Sequence, residues 1–455
     1  MVKQSQKLIS KIFHRTKLMW RHEMNRFIFI GMSLLLLQHK TLQAEIWPER
    51  AQLVASVSTG GVGNNNEFGS SVAVDDTYVV VGAKAHDSVA ANSGAAYVYR
   101  VDTVTGVSTE IAQLIVSDGT SGDLLGSSVA IAGDVIVVGA RQAYSNDQGR
   151  AYVFERPEAG WLGAINEVAT LQASNRGSND MFGFSVAIDN DTIVVGARGE
   201  DEVSAQAGAL YVFEKPIGGW SGTLEEDAKL IPSISPGNNG YLGQSVAIEG
   251  QVIVSAVFLG SVNGNDDQGR GYVFVKPPTG WSGTLTETAE LLASDGVAFD
   301  KLGVSVALDN GTVIMGAYQA EPPGTNSNQG AAYVFEEPAG GWTGRIFESA
   351  KLISSQPDNN EGLGRSVAIH KNTVVVGTDE YDRAYVFTKP VSGWVGSLTE
   401  TNLLQEAVSG DNDFGFHISI YDNQITITAE FDDDLHSNAG KAYLYVDEIF
   451  VSAFD

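Results

Sequence analysis

Cysteine is absent from all 455 residues, so no disulfide staples this chain. With 43% of residues hydrophobic, a large core closes without that help. The absence therefore does not mark a redox compartment. Basic residues are scarce: 28 Lys and Arg stand against 55 Asp and Glu, a formal charge of −27. The imbalance is steeper beyond the N-terminus. Residues 1–44 hold eight of the basic residues and one acid, Glu23, leaving 20 against 54 from Glu45 onward, a net of −34. Such a surface repels phosphate backbones and anionic lipids, which disfavours nucleic-acid and membrane-surface binding. It suits a cationic partner or calcium, and it equally serves plain solubility.

A membrane-spanning run is also lacking. "FIFIGMSLLLL", Phe27–Leu37, is an 11-residue apolar stretch, short of the roughly 20 residues a span requires. It follows Arg21 and Arg26 and leads into "TLQA", the order of a secretory signal with cleavage after Ala44. Leu42 at the −3 position is larger than such sites favour, and a start at Met24 gives a signal of ordinary length. Residues 1–44 are thus expected to be a signal peptide with an upstream extension, and residues 45–455 a single exported domain. The expected location is secreted, cell-surface or periplasmic, with no membrane span after signal removal.

What is present is repetition. A Phe/Leu-Gly pair recurs at Phe68-Gly69, Leu125-Gly126, Phe182-Gly183, Leu242-Gly243, Leu302-Gly303, Leu363-Gly364 and Phe414-Gly415. The glycines lie 57, 57, 60, 60, 61 and 51 residues apart. After most pairs comes a Ser-Val-Ala strand such as Ser71–Ala73, replaced in the seventh copy by His417-Ile418-Ser419. A β-branched strand ending in a small pair follows, as at Gly82-Ala83, Gly139-Ala140 and Gly196-Ala197. A third strand reads "AYVF" or close to it, and a fourth is marked by Ala-x-Leu, from Ala112–Leu114 to Ala350–Leu352. Period-two alternation and β-branched content exclude a helical solenoid. Four short strands per unit, repeated radially, predict an all-β, seven-bladed β-propeller with four-stranded blades. The seventh unit stops after its third strand, Ala442–Val446, while an orphan Ala51-Gln52-Leu53 precedes the first. The N-terminal strand is therefore expected to complete the last blade and close the ring, with the tail Glu448–Phe454 as competitor for that edge.

These motifs resemble the FG-GAP repeats of the integrin α-subunit N-terminal β-propeller and its bacterial relatives, over residues 51–446. The resemblance rests on seven "FG"-like pairs, each followed about 12–14 residues later by a "GA"-like pair. It implies a seven-bladed propeller with a binding, adhesion or scaffolding role. Where the "GAP" proline would stand, the copies carry Lys84, Arg141, Arg198, Val257, Tyr318, Asp379 and Glu430.

Integrin-type blades often hold calcium between strands one and two, but the corresponding turns here are very short. Asp75-Asp76, Asp189-Asn190-Asp191 and Lys371-Asn372 read as tight hairpin bends, for which Asn, Asp and Gly are suited. A second set stands three residues ahead of each repeat glycine: Asn66, Asp123, Asp180, Gly240, Asp300, Glu361 and Asn412. Turn capping is their plain reading. The loops they occupy nevertheless share a face with the long second-to-third loops, and loops on a rigid scaffold are where binding usually resides. Asn66, Asp123, Asp180, Asp300, Glu361 and Asn412 are accordingly the candidate partner-binding residues, with calcium held by acids of adjacent loops as the alternative.

A recurrent Gly-Trp-x-Gly places Trp161, Trp220, Trp281, Trp342 and Trp394 on the opposite side, where packing with a locally bonded N–H is expected. Six equivalent serines, Ser71, Ser128, Ser185, Ser245, Ser305 and Ser366, read as channel lining rather than nucleophiles. No HExxH or paired metal spacing involves His86, His370, His417 or His436. The expected function is a non-catalytic binding or adhesion module for a protein or glycan partner, with no catalytic or cofactor residues. The alternatives are a propeller hydrolase or lyase around His417, or a structural envelope or matrix component.

Overall fold

The computed structural model describes residues 45–46, 49–55, 66–102, 105–143, 146–321, 327–379, 381–405, 413–432 and 439–446. The leader region, Asn412, His436 and the tail Glu448–Phe454 lie outside them.

Seven sheets surround one axis, each built from the repeat unit in strand order. Blade three shows the pattern. Its inner strand, Phe182–Asp189, pairs antiparallel with Thr192–Ala197, which pairs with Ala209–Glu214 and then Ala228–Leu230. Period-two alternation puts one side-chain set on each face of a blade. The middle strands are buried on both faces, because each is sandwiched between neighbouring blades. One core cluster accordingly joins Val137 and Val153 of blade two to Val195, Tyr211 and Phe213 of blade three.

Among the described residues six blades have five strands, one more than the sequence pattern predicts, and blade seven has four. The extra strand comes from the following unit. After the Gly-Trp-x-Gly turn the chain crosses to the preceding blade, where Gly163–Asn166 pairs parallel with the Ala112–Ile115 part of blade one. It then returns as Ala169–Gln172 of its own blade. The same crossing recurs at Gly222–Glu225, Gly283–Leu285, Gly344–Phe347 and Gly396–Thr399. A carboxylate anchors each return. Glu226 accepts from the Ser174 N–H (2.9 Å) and Oγ (2.7 Å), and Glu167, Glu287, Glu348 and Glu400 bond Ser117, Ser233, Ser294 and Ser355 in the same way.

The repeated tryptophans are buried, as Trp161 is among Val138, Tyr152 and Phe154. Their packing follows the expectation, but their N–H groups do not: all five indole nitrogens lack a hydrogen-bond partner among the described residues. An indole wedged between two blades meets apolar walls that offer it no acceptor. Its large apolar burial offsets an unmade bond that costs about 1–3 kcal/mol.

The ring closes through the N-terminus. Glu49–Leu53 pairs antiparallel with Lys441–Val446 as the fourth strand of blade seven, Leu53 opposite Ala442. The short strand Glu45–Ile46 takes the fifth position in blade six. The N-terminal segment thus supplies the half-unit that the seventh repeat lacks.

Candidate functional site

Each repeat glycine sits where its blade meets the preceding one at the axis. Gly183 has φ +86°, and its carbonyl points at Gly139 of blade two. A Cβ on Gly139 would lie 2.1 Å from that oxygen, so only glycine allows the approach. The serine of the preceding blade completes the clasp by donating to the same carbonyl. Ser71 bonds Gly126 (2.8 Å), Ser128 bonds Gly183 (2.9 Å) and Ser185 bonds Gly243 (2.8 Å), with Ser305–Gly364 and Ser366–Gly415 repeating the contact. The "FG", "S" and "GA" elements of the repeat are therefore parts of one inter-blade joint. These serine hydroxyls are engaged in structure.

The residue before each Phe/Leu-Gly pair has a left-handed backbone: Glu67, Leu124, Met181, Tyr241, Lys301, Gly362 and Asp413 have φ between 50° and 67°. Such strain, about 1–3 kcal/mol at a non-glycine residue, persists only where the surroundings over-determine the backbone. A ring of rigid, strained turns thus frames one mouth of the axial channel.

The candidate acids lie just behind this ring. Asp123, Asp180 and Asp300 are each 4% exposed and Glu361 is fully buried. Their carboxylates cap their own loops: Asp123 accepts from the Thr120 N–H (2.6 Å) and Oγ1 (2.7 Å), Asp180 from the Gly177 N–H (2.5 Å), and Asp300 from the Val297 N–H (2.8 Å). Glu361 accepts from the Asp358 N–H (3.5 Å) and from the Tyr385 hydroxyl. Their carbonyls form a second tie, taking the N–H of Gln142, Gly199 and Asp379 for Asp123, Asp180 and Glu361. Half-buried Asn66 makes the same backbone tie to Ala85. Asn412 lies outside the described residues. These side-chain acceptors hold their loops, so charge reversal there does not separate binding from folding.

The short first-to-second turns at the opposite mouth also serve as joints. Asp189 of the "DND" turn accepts from the Gly250 N–H (2.6 Å) of the next blade, Asp75 from Gly133 (2.5 Å), and Asp309 from Lys371 (2.6 Å). No cluster of three or more His, Asp or Glu with metal-holding geometry occurs among the described residues.

The chemistry that the sequence reading missed lies inside the loop-face mouth. A cavity of about 670 Å³ is lined there by residues of all seven blades. Valines and Ile418 line its depth, and Lys84, Arg141, Arg198 and Arg365 stand among its polar lining. The first three occupy the position after "GA", where the family's name carries proline. Lys84 pairs with Glu67 (3.1 Å) and with buried Glu430. Arg365 pairs with Asp379 (2.9 Å) and lies 3.8 Å from the Phe416 ring centre. Arg198 stacks on Phe184 at 4.0 Å and bonds neutral Gln244 (2.8 Å). Arg141 lies 5.2 Å from the same ring. Neither Arg141 nor Arg198 has a carboxylate partner among the described residues.

The field of these cations is visible in their neighbours. Burial pushes the Arg198 guanidinium down, and the charge of Arg141 adds to that. The imidazole of His417 is pushed down to about 3, first by burial and then by Arg365, Lys84 and Arg141. Burial raises the Glu430 carboxyl, and Lys84 opposes that shift. The mouth is thus a positive funnel in a strongly acidic chain. The signal was legible as a basic residue after "GA" in three successive repeats, and its meaning required knowing that this position faces the axis.

Comparison with known proteins agrees with the repeat. Residues 47–99, 108–154, 165–213 and 285–335 match the FG-GAP repeat. The match begins ahead of the Ala-x-Leu strand and ends with the third strand, the same frame in which the N-terminus joins the last blades. No curated protein matches this chain. Among solved structures, the C-terminal WD40 domain of Sif2 is similar at 12% identity and a TM-score of 0.45, covering 89% of this chain and 99% of that one. The WD40 β-propeller domain of Doa1 is similar at 11% identity and a TM-score of 0.48, covering 88% and 97%. At those scores neither bears on function. The chain carries FG-GAP repeats within a seven-bladed β-propeller. Repeats of this kind generally bind ligands.

Proposed function

We propose that this propeller is an exported, non-catalytic binding module that engages a protein or glycan partner at the channel mouth on its loop face. The supporting observation is the funnel itself. It combines a rigid frame of inter-blade joints, a cavity of ligand size, and two arginines that form no ion pair among the described residues. The non-catalytic reading draws on the engaged serine hydroxyls and on His417, whose side chain is too weakly basic at about 3 to act near neutrality. Fold alone assigns no ligand.

The absence of cysteine provides a clean test of the face. A single Gln142→Cys at the mouth, coupled to a bulky polyethylene glycol maleimide, is expected to abolish binding on an array of glycans and surface proteins. The same label on Asn190→Cys, at an exposed turn of the opposite mouth, is expected to leave binding intact. Blocking by the Asn190 label alone would move the site to the other face.

A further inference from the structure

Resting on that reading, we propose that Arg141 and Arg198 together take the carboxylate of a compact sugar acid entering the channel from the loop face. Charge pairing around the mouth singles these residues out. Lys84 has Glu67 and Glu430, and Arg365 has Asp379. Among the described residues neither Arg141 nor Arg198 forms an ion pair: Arg141 lies 5.2 Å from the Phe184 ring centre, and Arg198 lies 4.0 Å from Phe184 and 5.4 Å from Tyr241 while bonding neutral Gln244 at 2.8 Å. Burial disfavours both charges and Arg141 further disfavours that of Arg198, while Glu430 and Glu67 favour Arg141 from beyond ion-pair distance. An anion placed between them relieves that repulsion, and planar guanidinium forks match a planar carboxylate.

The surroundings select the body that carries the carboxylate. Ser127, Gln142 and Gln244 line the same cavity with neutral donors and acceptors suited to hydroxyl groups. A volume of about 670 Å³ suits a small ligand rather than a long chain. The net charge of −27 works against an extended polyanion, whose remote charges would face an acidic surface. A single acid seated in the funnel is close only to the local cations, because charges beyond about 8–10 Å are screened. An acidic peptide is less suited, since the cavity is a closed ring of side chains with no free strand edge for a main chain to follow.

The test is isothermal titration calorimetry on the intact chain with digalacturonate, its carboxyl methyl ester, and a diglutamyl peptide. Digalacturonate is expected to bind, and the ester to bind about tenfold more weakly or worse, as loss of a charge-assisted bond implies. Arg141→Gln and Arg198→Gln are each expected to weaken digalacturonate by about tenfold or more. Arg141→Lys, which keeps the charge and loses the fork, should fall between. Lys215→Gln, a control at the Glu155 ion pair, should change nothing. Thermal melts of every variant separate lost binding from lost fold. Equal affinity for acid and ester, unchanged affinity in both glutamine variants, or binding of the peptide alone would overturn the proposal. If digalacturonate fails while the Gln142 label still blocks an array ligand, the sugar-acid inference falls and the binding face stands.

Discussion

Asp300 and His417 are both desolvated near the loop face, and they bias stability in opposite directions with pH. Burial pushes the Asp300 carboxyl up to about 6, partly offset by the N–H of Val297. Between its ordinary value of 3.8 and 6, the folded state holds a proton that the unfolded state has released. The stabilisation Asp300 gives is therefore full in acid and lost as pH rises through 6, on a scale of at most about 3 kcal/mol. His417 stays neutral in the fold down to about 3, while the unfolded chain protonates near 6.5. Its contribution is full above that value and lost as pH falls. Asp300→Asn, which retains an acceptor for Val297, should raise stability at pH 7 and match the parent near pH 4. His417→Gln should flatten the acid limb. Urea melts across pH 4–7 check both, and an Asp300→Asn curve parallel to the parent would contradict the assignment.

At this scale the sequence was half legible. The caps at Asp123, Asp180 and Asp300 follow from a short polar residue at a fixed offset before a turn. Their burial was not legible, because it depends on the neighbouring blade. Arg141 and Arg198 were visible as residues, but their convergence on Phe184 joins adjacent repeats across the axis.

Among the elements, the inter-blade joint explains why the repeat carries these letters. The glycine of "GA" is small because the next blade's carbonyl occupies the space a side chain would need. Gly139→Ala places a Cβ 2.1 Å from the Gly183 oxygen and 2.3 Å from the Ser128 Oγ. Because the first obstacle is backbone, the cost should reach about 3 kcal/mol or more. Gly133→Ala, at φ +56° with open space around it, should cost only about 1–2 kcal/mol. Thermal melts of the pair separate the joint from ordinary glycine strain, and equal losses would contradict it. The four inner strands were legible from their alternation. The fifth was not, because Gly163–Asn166 and its counterparts are short, largely exposed and paired to another repeat. A clue did exist: a Glu two residues before Ala-x-Leu and a Ser five residues after its first position recur from unit to unit. Glu49 holds the same offset before Ala51, consistent with the N-terminal segment as a displaced half-unit.

For the whole molecule, the inter-blade joints and the N-terminal closure produce a ring whose two mouths differ in charge. Acidic turns tie the blades together at one mouth, and the paired and unpaired cations line the other. Blade number and closure were legible because every copy shares one pattern and the ends of the chain are complementary. The polarity was not, because opposite charges average out along the sequence and separate only when the chain is wound around an axis. The most direct measurement of the central claim is amide hydrogen exchange on the intact chain, with and without the ligand identified on the array. Binding at the funnel predicts slowed exchange in the segments around Lys84, Arg141, Phe184, Arg198 and Phe416. Slowing confined to the Gly-Trp-x-Gly turns or to the first-to-second turns would contradict it.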